Sequence, residues 1–269
     1  MAGKAKEQAG RSVTSKVVAL LEAFDPAAVE LSLNDLARRA GLPLSTAYRL
    51  ATELVEWGGL ERGDSGGYRI GLRLWEIGSL ASRGVGVRDV AVPFMQDLYE
   101  ATHENVHLAV LDGREALYIE KISGRLAIPV KSRRGGRVPL HATGVGRVLL
   151  AYAPPDLLEE VLAAGLRRYT PHTIVAPGHL RRALAEIRRD GFGFAHEELT
   201  PGTASVAAPV FGADFAVVAA LSIISRTSRV NLRRLGPAVR LAAICISREL
   251  RDGPSPAGIR PVAGARQRS

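Results

Sequence analysis

Residues 63–67 read GDSGG within "LERGDSGGYRIG", the five letters that surround the nucleophilic serine of trypsin-like proteases. A serine nucleophile of that kind needs a histidine base and an aspartate to orient it, in the chain order His, Asp, Ser. No histidine precedes Ser65; the first is His103, so only the letters match. The other groups able to do chemistry are six scattered histidines, the acid pair Glu197-Glu198, the "GVGR" run at 144–147 and a single cysteine, Cys245. His103 and His107 are four apart and can share a helix face, yet the strand pattern VHLAVL begins at Val106, so no metal site is expected. Adjacent strand residues point to opposite faces, which keeps Glu197 and Glu198 from acting as a facing acid/base pair. The glycines of GVGR open a helix whose amides can receive an anion, but the run is neither a phosphate-binding loop nor a dinucleotide fingerprint. Nucleophile, base and orienter are nowhere spaced to work together. An enzyme is not expected, and neither is a cofactor.

What remains is binding, and the elements around these residues say where. Gly63 to Gly67 join two short strands, Leu60–Arg62 and Tyr68–Ile70, as a hairpin. Before the hairpin stands "LSLNDLARRAGLPLSTAYRLATELVEWGG". Leu33, Leu36, Ala37 and Ala40 mark a short helix stopped by Gly41; Ala47, Leu50, Ala51 and Leu54 mark the inner side of a second helix. Two helices around a tight turn, preceded by a helix from Ser15 and followed by a hairpin, make a winged helix-turn-helix. Its second helix would meet the major groove with its N-terminal residues Ser45, Thr46, Tyr48 and Arg49. Arg62 and Arg69 flank the wing, where they can reach phosphate or the minor groove.

Charge alone does not make this case. The 269 residues carry a formal net charge of +9, but residues 1–80 hold ten basic and ten acidic side chains, and the excess lies beyond them. A hydrophobic fraction of 46% can fill real cores. No apolar run reaches the ~18 residues of a membrane helix, no apolar leader is visible at the start, and one cysteine excludes a disulfide framework. A cytoplasmic protein without membrane contact is expected.

The second half has another texture. "VHLAVLDGREALYIEKI" reads as a strand, an Asp112-Gly113 turn and a strand, and "LAIPVKS" as a third. "PLHATGVGRVLLAYAPPDLLEEVLAAG" passes from a loop into a helix, breaks at Pro154-Pro155 and enters a second helix, and "GHLRRALAEIRRDG" is a further helix closed by Gly191. Strands "GFGFAHEE", "SVAAPVF" and "AVVAALSII" precede a final helix from Val230 to Arg251. The expected division is a disordered start over 1–14, the winged helix over 15–71, a linker helix over 72–85 with a joint at Gly84 to Gly86, an α+β domain over 86–252 and a disordered tail over 253–269. The amides of Gly144 and Val145, with Ser205 and Ser222 on strands, outline a pocket for a small polar molecule.

Several stretches together resemble the IclR family of bacterial transcriptional regulators: "LSLNDLARRAGLPLSTAYRLATEL", "GGYRIGLRLWEIG", "GGRVPLHATGVGRVLLA", "TPHTIV", "GFGFAHEELTPGTASVAAPVF" and "AVVAALSII". Order and spacing agree over about residues 12–250. The resemblance implies a winged helix and a GAF-like effector domain with a central antiparallel sheet. It implies a homodimer or homotetramer on a palindromic double-stranded DNA operator, a small organic or aromatic acid as effector, and control of catabolic genes, as a repressor. An activator, or a second domain that only oligomerises, stays open as an alternative. The effector positions it implies are Gly144, Val145, Ala195, Thr203, Ser205, Ser222 and Ile224. Members that bind small oxo-acids carry an acidic residue at the Ala195 position, a cysteine at Ser205 and a serine at Ile224, and Arg147 replaces the usual lysine. The pocket is therefore expected to be more apolar, suited to an aromatic acid rather than glyoxylate or pyruvate.

Overall fold

The computed structural model describes residues 11–124, 128, 132–228 and 232–252. The chain separates into two compact units, Met1–Ala81 and Ser82–Ser269.

In the first unit Ser12 caps helix α1 (Val13–Glu22), its hydroxyl accepting from the Ser15 amide at 3.1 Å. The short strand β1 (Glu30–Leu31) leads into α2 (Leu33–Ala40). Ser32 caps α2 through the Asp35 amide and also donates to the Asp35 carboxylate at 2.8 Å, so one serine satisfies an orphan amide and fixes an acid in the first turn. Gly41 ends α2 at φ 65°, a left-handed conformation that glycine adopts without a Cβ penalty. Helix α3 (Leu44–Trp57) then buries Ala47, Leu50, Ala51 and Leu54 and stops at Gly58, φ 82°. Strands β2 (Leu60–Arg62) and β3 (Tyr68–Ile70) form the hairpin, and β1 adds to it in the order β1-β3-β2, all antiparallel. Leu20, Leu36, Leu50, Leu60 and Tyr68 meet in the middle with almost no exposure. Helix α4 (Leu72–Ser79) closes the unit.

In the second unit α5 (Ser82–Thr102) precedes β4 (Asn105–Asp112), β5 (Glu115–Ile122) and β6 (Arg137–Pro139). Helices α6 (Gly144–Ala151), α7 (Pro155–Ala163) and α8 (Pro177–Asp190) follow. Then come β7 (Gly193–His196), β8 (Thr203–Phe211), β9 (Val217–Arg226) and α9 (Leu232–Asp252). The six strands make one antiparallel sheet in the order β6-β5-β4-β9-β8-β7. Successive side chains on a strand alternate faces, and this divides the core in two. Val106, Leu108, Val206, Ala208, Leu221 and Ile223 face α5 and α9. Ala109, Ala207 and Ala220 face the side packed by α6 and α8. The fold is the expected α+β arrangement of a winged helix and an antiparallel sheet with helices.

Four expectations are corrected. Helix α1 begins at Val13, inside the stretch 1–14 expected to be disordered, because Ser12 supplies a cap that the apolar pattern from Ser15 did not register. Gly84 and Gly86 are not a joint: α5 runs through both from Ser82. The helical cost of each glycine, about 1 kcal/mol, is offset by the burial of Val87, Ala91 and Met95 along the same helix. Strand β1 went unseen because two residues carry no period. The acid pair is not on a strand, since β7 ends at His196 and Glu197 takes φ 54°. Most of "LAIPVKS", the segment 1–10 and the tail 253–269 lie outside the described residues.

Candidate functional site

On α3 the buried side fixes which residues remain outside. Ser45, Tyr48 and Arg49 are exposed and Thr46 is half-buried, grouped at the first two turns of the helix. The Arg49 guanidinium rests on Glu53 one turn on, at 2.8 Å; with both side chains more than half exposed this pair adds little stability and is readily exchanged for another acceptor.

The wing is more organised than its glycines suggest. Arg62 lies over the Tyr68 ring, 3.9 Å from its centroid, and donates to the Gly66 carbonyl at 2.9 Å. Arg69 donates to Glu61 at 3.3 Å, while the other Glu61 oxygen accepts from the Leu72 amide at the start of α4. The amide of Gly63 donates to the Gly67 carbonyl, and that of Gly66 to the Gly63 carbonyl, both at 2.9 Å. The Ser65 hydroxyl donates to the carboxylate of Glu30 from β1. A Cβ on Gly63 or Gly67 would collide with that same carboxylate. The glycines make room for Glu30, and Ser65 is its tether. Sequence reasoning missed Glu30 because it stands 35 residues from Ser65, on a strand too short to see.

In the second unit a cavity of about 540 Å³ opens on the α6 side of the sheet. All seven residues anticipated for the effector line it, on α6 (Gly144, Val145), β7 (Ala195), β8 (Thr203, Ser205) and β9 (Ser222, Ile224). Register explains their convergence: Ser205 pairs with both Ala195 and Ile224 across the sheet, and Ser222 pairs with Ala207. Thr143 caps α6 and accepts from the Gly146 amide, while the amides of Gly144 and Val145 find no acceptor among the described residues. Gly144 brings the helix against β8, for a Cβ there would lie 2.8 Å from Ser205 Oγ, and a Cβ on Gly146 would lie 2.6 Å from the Leu140 backbone. The glycines are needed for close approach as much as for their amides.

The Ser222 hydroxyl is buried without a hydrogen-bond partner among the described residues. That leaves a desolvated donor facing the cavity, a cost that a bound ligand can remove. Tyr118, Ser132, Arg133 and Arg137 also line the cavity and were not anticipated, since a strand residue and a turn reach it only through the sheet's curl. Next to this wall His107 is fully buried, and burial with the nearby Lys121 charge pushes its imidazole down to about 3, so the ring is neutral near pH 7. His103 ends α5 at φ 53°, so the two histidines do not share a face. No cluster of three or more His, Cys, Asp or Glu that could hold a metal occurs among the described residues.

Arg147 does not line the cavity. It is 2% exposed and donates to buried Glu198 and to the carbonyls of Phe194 and His141. Thr170 and Thr173 donate to the carbonyls of Glu197 and Glu198 at 2.6 Å, so the "TPHT" stretch anchors the 197–202 loop that roofs the cavity. Glu197 lies below the usual carboxylate range, chiefly through the Gly202 backbone, then through Thr227 and the neighbouring His196 and His172.

A winged helix with an exposed second helix, and a separate sheet domain with a lined cavity, define a helix-turn-helix DNA-binding protein. Residues 13–64 match the IclR helix-turn-helix domain, and residues 80–248 the C-terminal domain of bacterial transcriptional regulators of IclR type. The chain is 35% identical over 240 residues to the transcriptional regulator XynR of Escherichia coli, covering 87% of this chain and 95% of that one. It is 33% identical over 216 residues to the repressor IclR of the same organism, covering 79% of each. An IclR homologue of Microbacterium hydrocarbonoxydans, solved with 4-hydroxybenzoate bound, superposes with a TM-score of 0.84 at 37% identity, over 90% of this chain and all of that one. The chain belongs to the IclR family; it is a DNA-binding transcriptional regulator, not an enzyme. No described helix is long and apolar enough to cross a membrane.

Two outcomes follow from the buried groups. Arg147→Met strands Glu198 in the interior and should lower stability by about 3–5 kcal/mol, whereas Arg147→Met with Glu198→Leu should recover most of it; thermal unfolding of the three proteins decides. Leu221 and Ser222 are neighbours on opposite faces. Leu221→Ala should cost about 2–5 kcal/mol, while Ser222→Ala, which removes an unpaired hydroxyl, should leave the denaturation midpoint unchanged or raised.

Proposed function

We propose that the protein is a repressor that binds a two-fold operator as a homodimer or higher homo-oligomer and is controlled by a small aromatic acid held in the cavity of its second unit. The observation that carries the ligand reading is the unpartnered Ser222 hydroxyl, buried beside the free first-turn amides of α6. A carboxylate there would accept hydrogen bonds from both, with the positive end of the helix behind them. Ala195 and Ile224 supply apolar wall where an acid and a hydroxyl would favour a smaller, more polar ligand. The bound acid in the Microbacterium homologue supports the same class, and the relatives that are repressors support the sign of control. The acid would act by favouring one relative placement of two recognition helices, since only differential affinity for two states shifts an equilibrium.

On the DNA side, Ser45, Thr46, Tyr48 and Arg49 would meet the major groove, with Arg62 and Arg69 against the backbone. Arg49→Ala should weaken specific binding by about 1–3 kcal/mol if it contacts guanine with both nitrogens; an unchanged gel-shift affinity would remove it from that role. Titration calorimetry with 4-hydroxybenzoate and glyoxylate tests the ligand class. Binding of the aromatic acid in preference to glyoxylate supports the reading, and the reverse order overturns it. A protein whose melting temperature no metabolite raises would have a second unit that only oligomerises.

A further inference from the structure

The contacts at α6 use one side of the cavity. The opposite wall, built by β5 and residues 132–136, carries polar groups with no task in that reading. Ser132 and Tyr118 line it. Behind them His107 lies tilted against the Tyr118 ring at 4.9 Å between centroids, with Nε2 2.8 Å from Ser132 Oγ. Its Nδ1 is buried and has no partner among the described residues. His107 sits directly opposite Ser222 in the pairing of β4 with β9, so both side chains rise from the same face.

Which nitrogen holds the proton follows from the cost of leaving the other unpaired. A buried N–H without an acceptor is rarer than an under-used acceptor, which assigns the proton to Nε2 and leaves Nδ1 as the bare lone pair. His107 then donates to Ser132 Oγ, and the Ser132 hydroxyl keeps its own proton for the cavity. The backbone around it is fixed as well. The Ser132 carbonyl accepts from Lys121 Nζ at 2.8 Å, the Gly135 amide donates to the Tyr118 carbonyl at 2.8 Å, and the Tyr118 amide to the Gly136 carbonyl at 2.9 Å. Arg134 adds an ion pair to Glu120 at 2.8 Å. Ser132 is thus a donor held at both its side chain and its main chain.

We infer that Ser132, oriented by His107, is a second recognition point of the effector site, which selects an acid carrying a hydroxyl at the far end of its ring. Strands β5 and β8 stand three spacings apart in the sheet, roughly 14 Å at ~4.8 Å each. One end of that span is the Gly144–Ser205 contact; the other is Tyr118 on β5, against which His107 packs and holds Ser132. A single ring with one polar group at each end, extended by a hydrogen bond of ~2.8 Å on either side, fills it. The ligand hydroxyl oxygen would accept from Ser132. Burial raises the Tyr118 hydroxyl well above its ordinary range, so it stays protonated and adds a donor to the same wall. His107 is a positioning residue here and touches no ligand.

This inference rests on the cavity being the effector site, and the test separates the two. Titration calorimetry on the full chain would compare benzoate with 4-hydroxybenzoate for the native protein, Ser132→Ala, His107→Phe and His107→Gln. The native protein should favour the hydroxylated acid by roughly tenfold, the worth of one well-formed hydrogen bond. Ser132→Ala and His107→Phe should bring that ratio near one while benzoate affinity stays within about twofold. His107→Gln, whose amide can still donate to Ser132, should retain part of the preference, which a merely structural role would not restore. Ser132→Ala alone carries the test if His107→Phe does not fold. An unaltered ratio in Ser132→Ala overturns the inference, as does a native protein that binds both acids equally; in either case the effector reading stands. Failure of the native protein to bind either acid overturns both.

Discussion

The central strands of the second unit are buried on both faces, and that constraint governs what its residues can do. On β4, β8 and β9 one face is wholly aliphatic against α5 and α9. The other face mixes small apolar residues with His107, Ser205 and Ser222. Polar groups in such a place must be paired within the protein, pushed to their neutral form, or reserved for something that arrives. Arg147 with Glu198 follows the first course and His107 the second, and Ser222, without a partner among the described residues, is the group for which the third is proposed. The cavity is the part of this face that α6 and α8 leave uncovered, and its small residues are what keep it open.

Much of this arrangement was legible in the sequence. The paired helices around Gly41 announce themselves by apolar spacing and by a glycine that can turn left-handed, and β8 and β9 by long apolar runs. The family resemblance located Gly144, Val145, Ala195, Thr203, Ser205, Ser222 and Ile224; the sheet register brings the last five to one cavity and α6 brings the first two. Chemical reading of single residues did less well. Nothing local marks Ser132 or Tyr118 as cavity wall, because the contact depends on how β5 and its following turn curl over the sheet. Nothing beside Arg147 in the chain announces its partner, for Glu198 comes 51 residues later. Long-range pairs of this kind leave no period in the chain.

Glycine has two separate duties here that letters cannot distinguish. At Gly41 and Gly58 the backbone is left-handed and the residue answers a conformational demand. At Gly63, Gly144 and Gly146 the demand is steric: another group occupies the place of a Cβ. The protease-like GDSGG holds both kinds, since Gly66 is left-handed with open space around it while Gly63 and Gly67 face the Glu30 carboxylate; the glycines of GVG are of the second kind, against Ser205 and the Leu140 backbone.

The carboxylate of Glu30, set among the wing glycines, bears on kinetics as well as shape. A glycine-rich tip left to itself would sample many conformers, and most collisions with a duplex would meet the wrong one. The Ser65–Glu30 bond and the Gly63–Gly67 and Gly66–Gly63 backbone bonds narrow that range, so part of the ordering entropy is spent during folding. For the proposed contact of the wing with DNA, that share of the ordering cost falls outside the binding step.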